Sequence, residues 1–391
     1  MNKKRFSFSL FGILFLIVGC FDSEKVADTK EGLDDKKYIP LPVKVKSPKD
    51  NPITSEKAAL GKLLFFDPIL SGNRDVACAT CHHPENGYAE FRDISIGVNG
   101  KGFGKKRVFN APNDIPFVKR NAHTILNTAY NGITINGEYS PKDAPMFWDS
   151  RIKSLEKQAL EPILALEEMR GRQYSKESIL DEVVRRLKGN QKYQELFEIA
   201  FGKKNSINSV NLSKALATFE RTLVTNNSRF DQYLSGDEKA ISLSEKEGFE
   251  LFKKVGCAAC HSGPMFSDYK MHVLGVSENK KLDTPDAGFE ETFSFRTPSL
   301  RNLRFTAPYM HNGSLKNLQK VLEFYEDIAS GEPKNQHVAG DELDSLVRKI
   351  NLKVKDMVPI ISFLNTLNET DFDKEVVDAV PSGLQVGGAI N

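Results

Sequence analysis

A mainly α-helical chain folded as two related domains is predicted by a pattern that occurs twice. Each copy has a Ser-Glu-Lys helix start, apolar residues at helical spacing, and then Cys-x-x-Cys-His. The first copy starts at Ser55-Glu56-Lys57, carries Leu60, Leu63, Leu64 and Phe65, turns at Asp67-Pro68 and reaches Cys78-Ala79-Thr80-Cys81-His82. The second starts at Ser244-Glu245-Lys246, carries Phe249, Leu251 and Phe252, and leads through Gly256 to Cys257-Ala258-Ala259-Cys260-His261. The helix starts lie 189 positions apart (244 minus 55) and the cysteine motifs 179 apart (257 minus 78), so the copies differ by a ten-residue loop. A duplicated domain is the expected reading, and strand signals are scarce throughout.

Two thiols three positions apart, followed at once by an imidazole, form the attachment pattern of a c-type haem. Each thiol can form a thioether to the porphyrin edge, and the histidine then sits under the ring as an axial ligand. Two covalently attached haems are expected, on Cys78, Cys81 and His82 and on Cys257, Cys260 and His261. The four sulfurs could instead close one tetrahedral zinc site. That alternative leaves both histidines unexplained.

The 391 residues suffice for two domains of ordinary size. Lys and Arg number 54 against 52 Asp and Glu, a formal charge of +2, so no bulk field calls for nucleic acid. Lys3, Lys4 and Arg5 precede an apolar run from Ile13 to Val18, which reads as an export signal and is short for a membrane span. Leu16-Ile17-Val18-Gly19-Cys20 resembles a bacterial lipobox, so residues 1–20 are expected to be a lipoprotein signal peptide, with a membrane lipid on Cys20 and the protein in the periplasm. An ordinary signal peptide is the alternative. An oxidising compartment also suits covalent haem attachment.

Further along, residues 21–53 are rich in Asp, Lys and Pro and are expected to be a flexible tether. Residues 54–235 and 236–370 are the expected haem domains, and 371–391 a frayed tail. The Gly- and Asn-rich stretch 91–117 predicts a long loop. Helical spacing predicts helices over 150–160, 175–187, 317–328, 341–350 and 355–367. It also predicts a longer helix through Leu212, Ala215, Leu216, Phe219 and Leu223 that crosses the domain junction.

Several separated motifs resemble the bacterial di-haem cytochrome c peroxidase family, which includes MauG. They are Arg120-Asn121, Phe147-Trp148-Asp149-Ser150-Arg151, Gln158, Pro162 and Glu168-Met169, then Thr297-Pro298-Ser299-Leu300-Arg301-Asn302 and Thr306-Ala307-Pro308-Tyr309-Met310-His311-Asn312-Gly313. The resemblance runs from about Thr54 to Leu367, although Ser150 stands where glycine is usual. It implies two cytochrome-c-like domains packed across a calcium ion, held by the Asn121 side chain and the carbonyls of Thr306 and Pro308. It also implies reduction of hydrogen peroxide with electrons from a small periplasmic donor, such as a cytochrome c or a cupredoxin, and is compatible with a homodimer.

Residue by residue, the resemblance makes Glu168 the group that carries a proton between the two peroxide oxygens, chemistry that a carboxylate within hydrogen-bond reach can perform. From Glu167-Glu168 alone, a solvated helix charge would be the reading. Gln158 is then a hydrogen-bond donor in the first haem pocket, Pro162 keeps the sixth iron position bare, and Trp148, the only tryptophan, is a relay between haems or a core anchor.

Two positions depart from the better-known peroxidases. Ser95-Ile96-Gly97 is followed by Val98 rather than a capping histidine, so the first haem is expected to be open at rest, with His83 and His123 unsuited as substitutes. Nineteen residues beyond Thr306 stands Tyr325 (306 plus 19) rather than methionine, the ligand type of MauG, with Met310 and Met271 as possible sulfur ligands and a core tyrosine as the plain reading. The expected function is therefore a peroxidase. A MauG-like enzyme that oxidises a protein or small-molecule substrate is the alternative within the family, and a non-catalytic di-haem electron carrier the alternative outside it.

Overall fold

A computed structural model describes residues 38–102, 106–111 and 113–387, which belong to one compact unit. The expected signal peptide, lipobox and Cys20 lie outside the described residues. Eleven α-helices are described: α1 (Ser55–Phe66), α2 (Cys78–Cys81), α3 (Leu155–Gln158), α4 (Glu161–Leu164), α5 (Ile179–Lys188), α6 (Gln191–Phe201), α7 (Ser209–Thr222), α8 (Arg229–Leu234), α9 (Leu243–Lys254), α10 (Leu318–Ile328) and α11 (Val354–Asn365). The strands form three short antiparallel pairs among the described residues. They are β1 (Gly100–Lys101) with β2 (Val108–Phe109), β3 (Pro145–Met146) with β4 (Ile152–Lys153), and β5 (Met271–Val273) with β6 (Ser294–Arg296).

The fold has two main hydrophobic cores, each built around a helix pair. Thr54 caps α1, its hydroxyl accepting from Lys57 N at 3.3 Å, and the helix buries Leu60, Leu64 and Phe65 against Leu212, Ala215, Leu216 and Phe219 of α7. The two helices touch through Gly61, where a Cβ would fall 2.1 Å from Ala215 O. The pair α9 and α11 meets in the same way, since a Cβ on Gly248 would fall 2.1 Å from Pro359 O. Around that second contact Phe230, Phe249, Phe252, Phe266 and Phe363 pack edge-on or tilted, the favourable arrangement for aromatic rings.

Several expected elements are corrected. Only Leu155–Gln158 of the helix expected over 150–160 is helical, because Ser150 and Ser154 have φ of 53° and 74° and Ile152-Lys153 pairs with Pro145-Met146. The stretch 341–350 forms two 3₁₀ turns, Gly340–Glu342 and Val347–Lys349, rather than one helix. Helix α7 does not cross between halves; its apolar face is spent on the first core.

Both chain ends depart furthest from expectation. Residues 38–53 are not a tether, for they carry anchors of their own. Tyr38 is 6 % exposed, packs on Phe249 and Phe266, and donates to His261 O at 3.1 Å. Leu41 N donates to Asp231 Oδ1 at 3.1 Å. The tail is not frayed through residue 387. It lays Phe372, Val376, Val377, Val380 and Leu384 on the first core, and Gly387 N donates to Phe66 O at 2.8 Å. Ser382 Oγ and Tyr193 Oη both donate to Asp67, at 2.7 and 2.6 Å. These anchors are single apolar groups spaced among polar ones, a pattern that composition averages away.

Candidate active site

A cavity opens at each Cys-x-x-Cys-His motif. The smaller, about 1050 Å³ with its mouth included, is lined by Cys78, Cys81, His82, Trp148, Gln158, Pro162 and Glu168. The larger, about 2010 Å³ on the same measure, is lined by Cys257, Cys260, His261 and Tyr325, and by Asn121, Thr306, Pro308 and Trp148. The structure thus brings every expected site residue to one cavity or the other. The two cysteine pairs line different cavities, so they do not converge on one tetrahedral zinc site.

The local backbone fixes both imidazoles. His82 follows the single turn α2, and its Nδ1 lies 3.0 Å from Tyr88 O; His261 Nδ1 lies 2.8 Å from Phe266 O. A carbonyl can only accept, so Nδ1 carries the proton and Nε2 keeps its lone pair. Burial lowers the pKa of both rings, which keeps them neutral, the form that binds a metal. Two thiols within about one turn of backbone and one neutral imidazole of fixed tautomer fit a covalently attached haem in each cavity.

In the first cavity Glu168 stands on a single π turn, Leu166–Arg170, an irregularity that recurs at functional sites. The loop after the haem motif presses on this turn at Gly97, whose φ is 42° and where a Cβ would lie 1.8 Å from Glu167 O. Burial first, and then the neighbouring Glu167, pushes the Glu168 pKa up to about 7. The carboxyl is therefore poised to hold or release a proton near neutral pH. Gln158 ends α3 with its Oε1 buried and unpartnered, and Pro162, near the start of α4, brings no N–H to the cavity.

Trp148 lines both cavities and is 9 % exposed. Its Nε1 donates to Asn121 O at 3.0 Å, and its ring meets His123 edge to face at 5.6 Å. Beside it runs a ladder of charges, with Arg151 on Asp149 at 2.9 Å, Asp149 on Arg120 at 2.7 Å and Arg120 on Asp286 at 2.5 Å. Ser150, at φ 53°, occupies the backbone conformation that explains why glycine is usual there.

The remaining expected residues are placed as follows. Val98 packs against the first core and does not line the cavity. His83 turns into its own 3₁₀ turn, accepting from Glu85 N at 3.2 Å, while His123 forms wall between the cavities, its pKa pushed down to about 4 by burial and then by Arg296. Tyr325, on α10, faces the second cavity with His261, and burial raises its phenol well above the ordinary value. Met310 also lines this cavity and Met271 does not. Asn121 donates its amide to Arg92 O at 2.8 Å, which leaves Oδ1 as its ligand atom.

Two groups were missed by sequence reasoning. His272 lines the second cavity between Asp268 and Asp344, at 3.1 and 2.6 Å, and its pKa is raised to about 11, Asp268 being the largest cause. Cys260, Asp268 and His272 also gather within 4.8 Å, but Cys260 belongs to the second Cys-x-x-Cys-His motif, where it is the expected haem anchor. The second is Glu220 on α7, 6 % exposed and lining the first cavity. A signal for it existed, since residues 212, 216 and 220 share one helical face and the third is an acid.

Residues 55–239 match the family model described as di-haem cytochrome c peroxidase. The chain is 37 % identical to the methylamine utilization protein MauG of Methylorubrum extorquens, over 83 % of this chain and 82 % of that one. It is 32 % identical to the cytochrome c551 peroxidase of Nitrosomonas europaea, over 78 % and 81 % of the two chains. Among solved structures, a MauG-like protein associated with microbial copper homeostasis superposes with a TM-score of 0.67 at 26 % identity, covering 86 % of this chain and 95 % of the other.

Proposed function

Because the chain belongs to the di-haem cytochrome c peroxidase family, we propose that it reduces hydrogen peroxide to water in the periplasm, drawing electrons from a small cytochrome c or cupredoxin. The observation that carries this reading is the company kept by Cys78, Cys81 and His82. Glu168, Gln158 and Pro162 share that cavity, with the carboxyl held near neutrality and the amide oxygen unpartnered. When bound, the two haems would supply electron storage and the redox chemistry of peroxide reduction.

The chain's own residues supply the rest. Glu168 would accept a proton from one peroxide oxygen and return it to the other, so that the O–O bond breaks with loss of one water, and two electrons from the donor with two further protons would convert the remaining oxygen to the second water. Gln158 would orient the substrate by a hydrogen bond, and Pro162, which has no N–H, offers no competing backbone donor at its place in the cavity. Trp148 joins the two cavities through one packed indole. Asn121, with the carbonyls of Thr306 and Pro308, would hold calcium against the larger cavity and clamp the two haem domains. A lipid on Cys20 would keep the protein at a membrane.

The test is peroxide consumption by the haem-loaded protein, with and without a reduced small cytochrome. Turnover that depends on the cytochrome is expected. Turnover only with an oxidisable protein substrate would favour the MauG-like alternative, and none at all a plain electron carrier.

One observation favours the MauG-like alternative specifically, the position of Tyr325 in the second cavity with His261. A phenolate ligand is hard and anionic and favours the higher iron oxidation states. Tyr325→Phe is expected to change the absorption and paramagnetic resonance of the second haem while leaving the first unaltered. An unchanged second-haem spectrum would refute ligation by Tyr325.

A further inference from the structure

Glu220 has no task in the chemistry described above, yet its placement is costly. It lies on α7 among Leu212, Ala215, Leu216 and Phe219, where an apolar residue would complete the core face. It is 6 % exposed, its Oε2 is buried without a hydrogen-bond partner, and it lines the first cavity on the side of Cys78. A carboxylate held there without a partner is strongly disfavoured against the neutral acid. Among the described residues no donor reaches Oε2. The adjacent Arg221 turns both of its terminal nitrogens to Glu156, at 2.5 and 2.8 Å.

Burial is the largest influence on Glu220, and two neighbouring charges act beside it. Arg221 on its own helix lowers its pKa and Glu156 on α3 raises it, both less than burial does, and the outcome is a pKa of about 8. The faces of α1 and α5 packed in the same core bring Leu60, Leu64, Ile179 and Val183. Lys57 of α1 responds to Lys214, Arg221 and Glu156 rather than to Glu220. Tyr130, in the 3₁₀ turn Thr128–Tyr130 packed on α7, has its hydroxyl engaged with Pro42 O at 2.7 Å. The cavity it lines also carries His82, Arg120, His123, Arg151 and Glu168, besides Cys78 and Cys81.

We propose that Glu220 is a redox-linked proton carrier at the first haem: it takes up a proton when that haem accepts an electron and releases it when the haem is oxidised. The inference rests on the reading that the first cavity holds a haem. The balance is simple. One electron, delivered by the one-electron redox donor, reduces the iron by one charge, and one proton converts the Glu220 carboxylate to the acid, so the net charge of the cavity is unchanged. Coulomb coupling between the added electron and the buried Glu220 carboxylate is the driving force. Peroxide reduction consumes two protons with its two electrons, and Glu168 only shuttles one that the substrate brings. A group that loads a proton with each electron supplies what the shuttle does not.

The test is a spectroelectrochemical titration of the first haem between pH 5 and pH 10 in the full-length, haem-loaded protein. In the wild type the reduction equilibrium is expected to weaken by up to tenfold per pH unit over a window near Glu220's own pKa. Glu220→Gln, of the same shape and without a proton to release, should flatten that window, and Glu220→Asp should keep the dependence with a displaced midpoint. Redox-difference infrared spectra should show a carboxylic C=O band that Glu220→Gln removes. An unchanged pH dependence in Glu220→Gln, or an unmoved midpoint in Glu220→Asp should Glu220→Gln fail to load haem, would overturn the proposal. Absence of a first-haem spectrum in the wild type would instead overturn the reading of the cavity.

Discussion

Glu168→Gln is expected to lower peroxide consumption by ~10²–10⁴-fold, the range that a positioned proton-transfer group contributes. The amide keeps the shape of the carboxyl and cannot cycle a proton, so haem content and both haem spectra should be retained. The pH dependence follows from the same group. Its pKa is raised to about 7, chiefly by burial, so the carboxylate that accepts the first proton is depleted as pH falls through that value. Wild-type turnover should therefore decline on the acid side of neutrality. Glu168→Gln should show no such limb in its residual rate. Equal turnover in the variant and the wild type would remove Glu168 from the chemistry.

Asp231→Ala is expected to cost about 3–5 kcal/mol of stability, as breaking one side of a buried ion pair does. Arg301 and Asp231 are 2 % and 3 % exposed and joined by two bonds of 2.7 and 2.8 Å. Asp231 also accepts from Leu41 N, Ser228 N and Ser228 Oγ. Truncation leaves a guanidinium buried without its counter-charge and frees the segment 38–53 at one of its anchors. Glu323→Ala is the control, because its pair with Lys320 is exposed and worth roughly 0.2–1 kcal/mol. Denaturant midpoints of the two variants should differ widely. Similar midpoints would show that the buried pair contributes no more than a surface one.

The two Cys-x-x-Cys-His motifs and the helices over 55–66, 243–254 and 318–328 were legible, because each leaves a mark at fixed spacing. Cys-x-x-Cys-His is a chemical requirement written in consecutive residues. Glu168 was legible only through motif resemblance, since the π turn that carries it and the loop pressed on it at Gly97 arise from contacts 70 residues apart (167 minus 97). The helix expected over 150–160 failed because Ser150 and Ser154 adopt positive φ and Ile152-Lys153 pairs with Pro145-Met146, a tertiary outcome that helical spacing does not encode. Glu220 was hidden for the opposite reason. Its helix reads as core, and a single acid in a core stripe is easily passed over as a solvated edge.

The crossed chain ends have a consequence for biogenesis. Tyr38 completes the aromatic core that holds the second haem motif, whereas Val380 and its neighbours complete the core that holds the first. Neither core is finished by the nearer stretch of chain. In a chain made from its N-terminus the first core therefore stays open until Phe372 to Leu384 have been made, although Leu60, Leu64 and Cys78 of that core come more than 290 positions earlier.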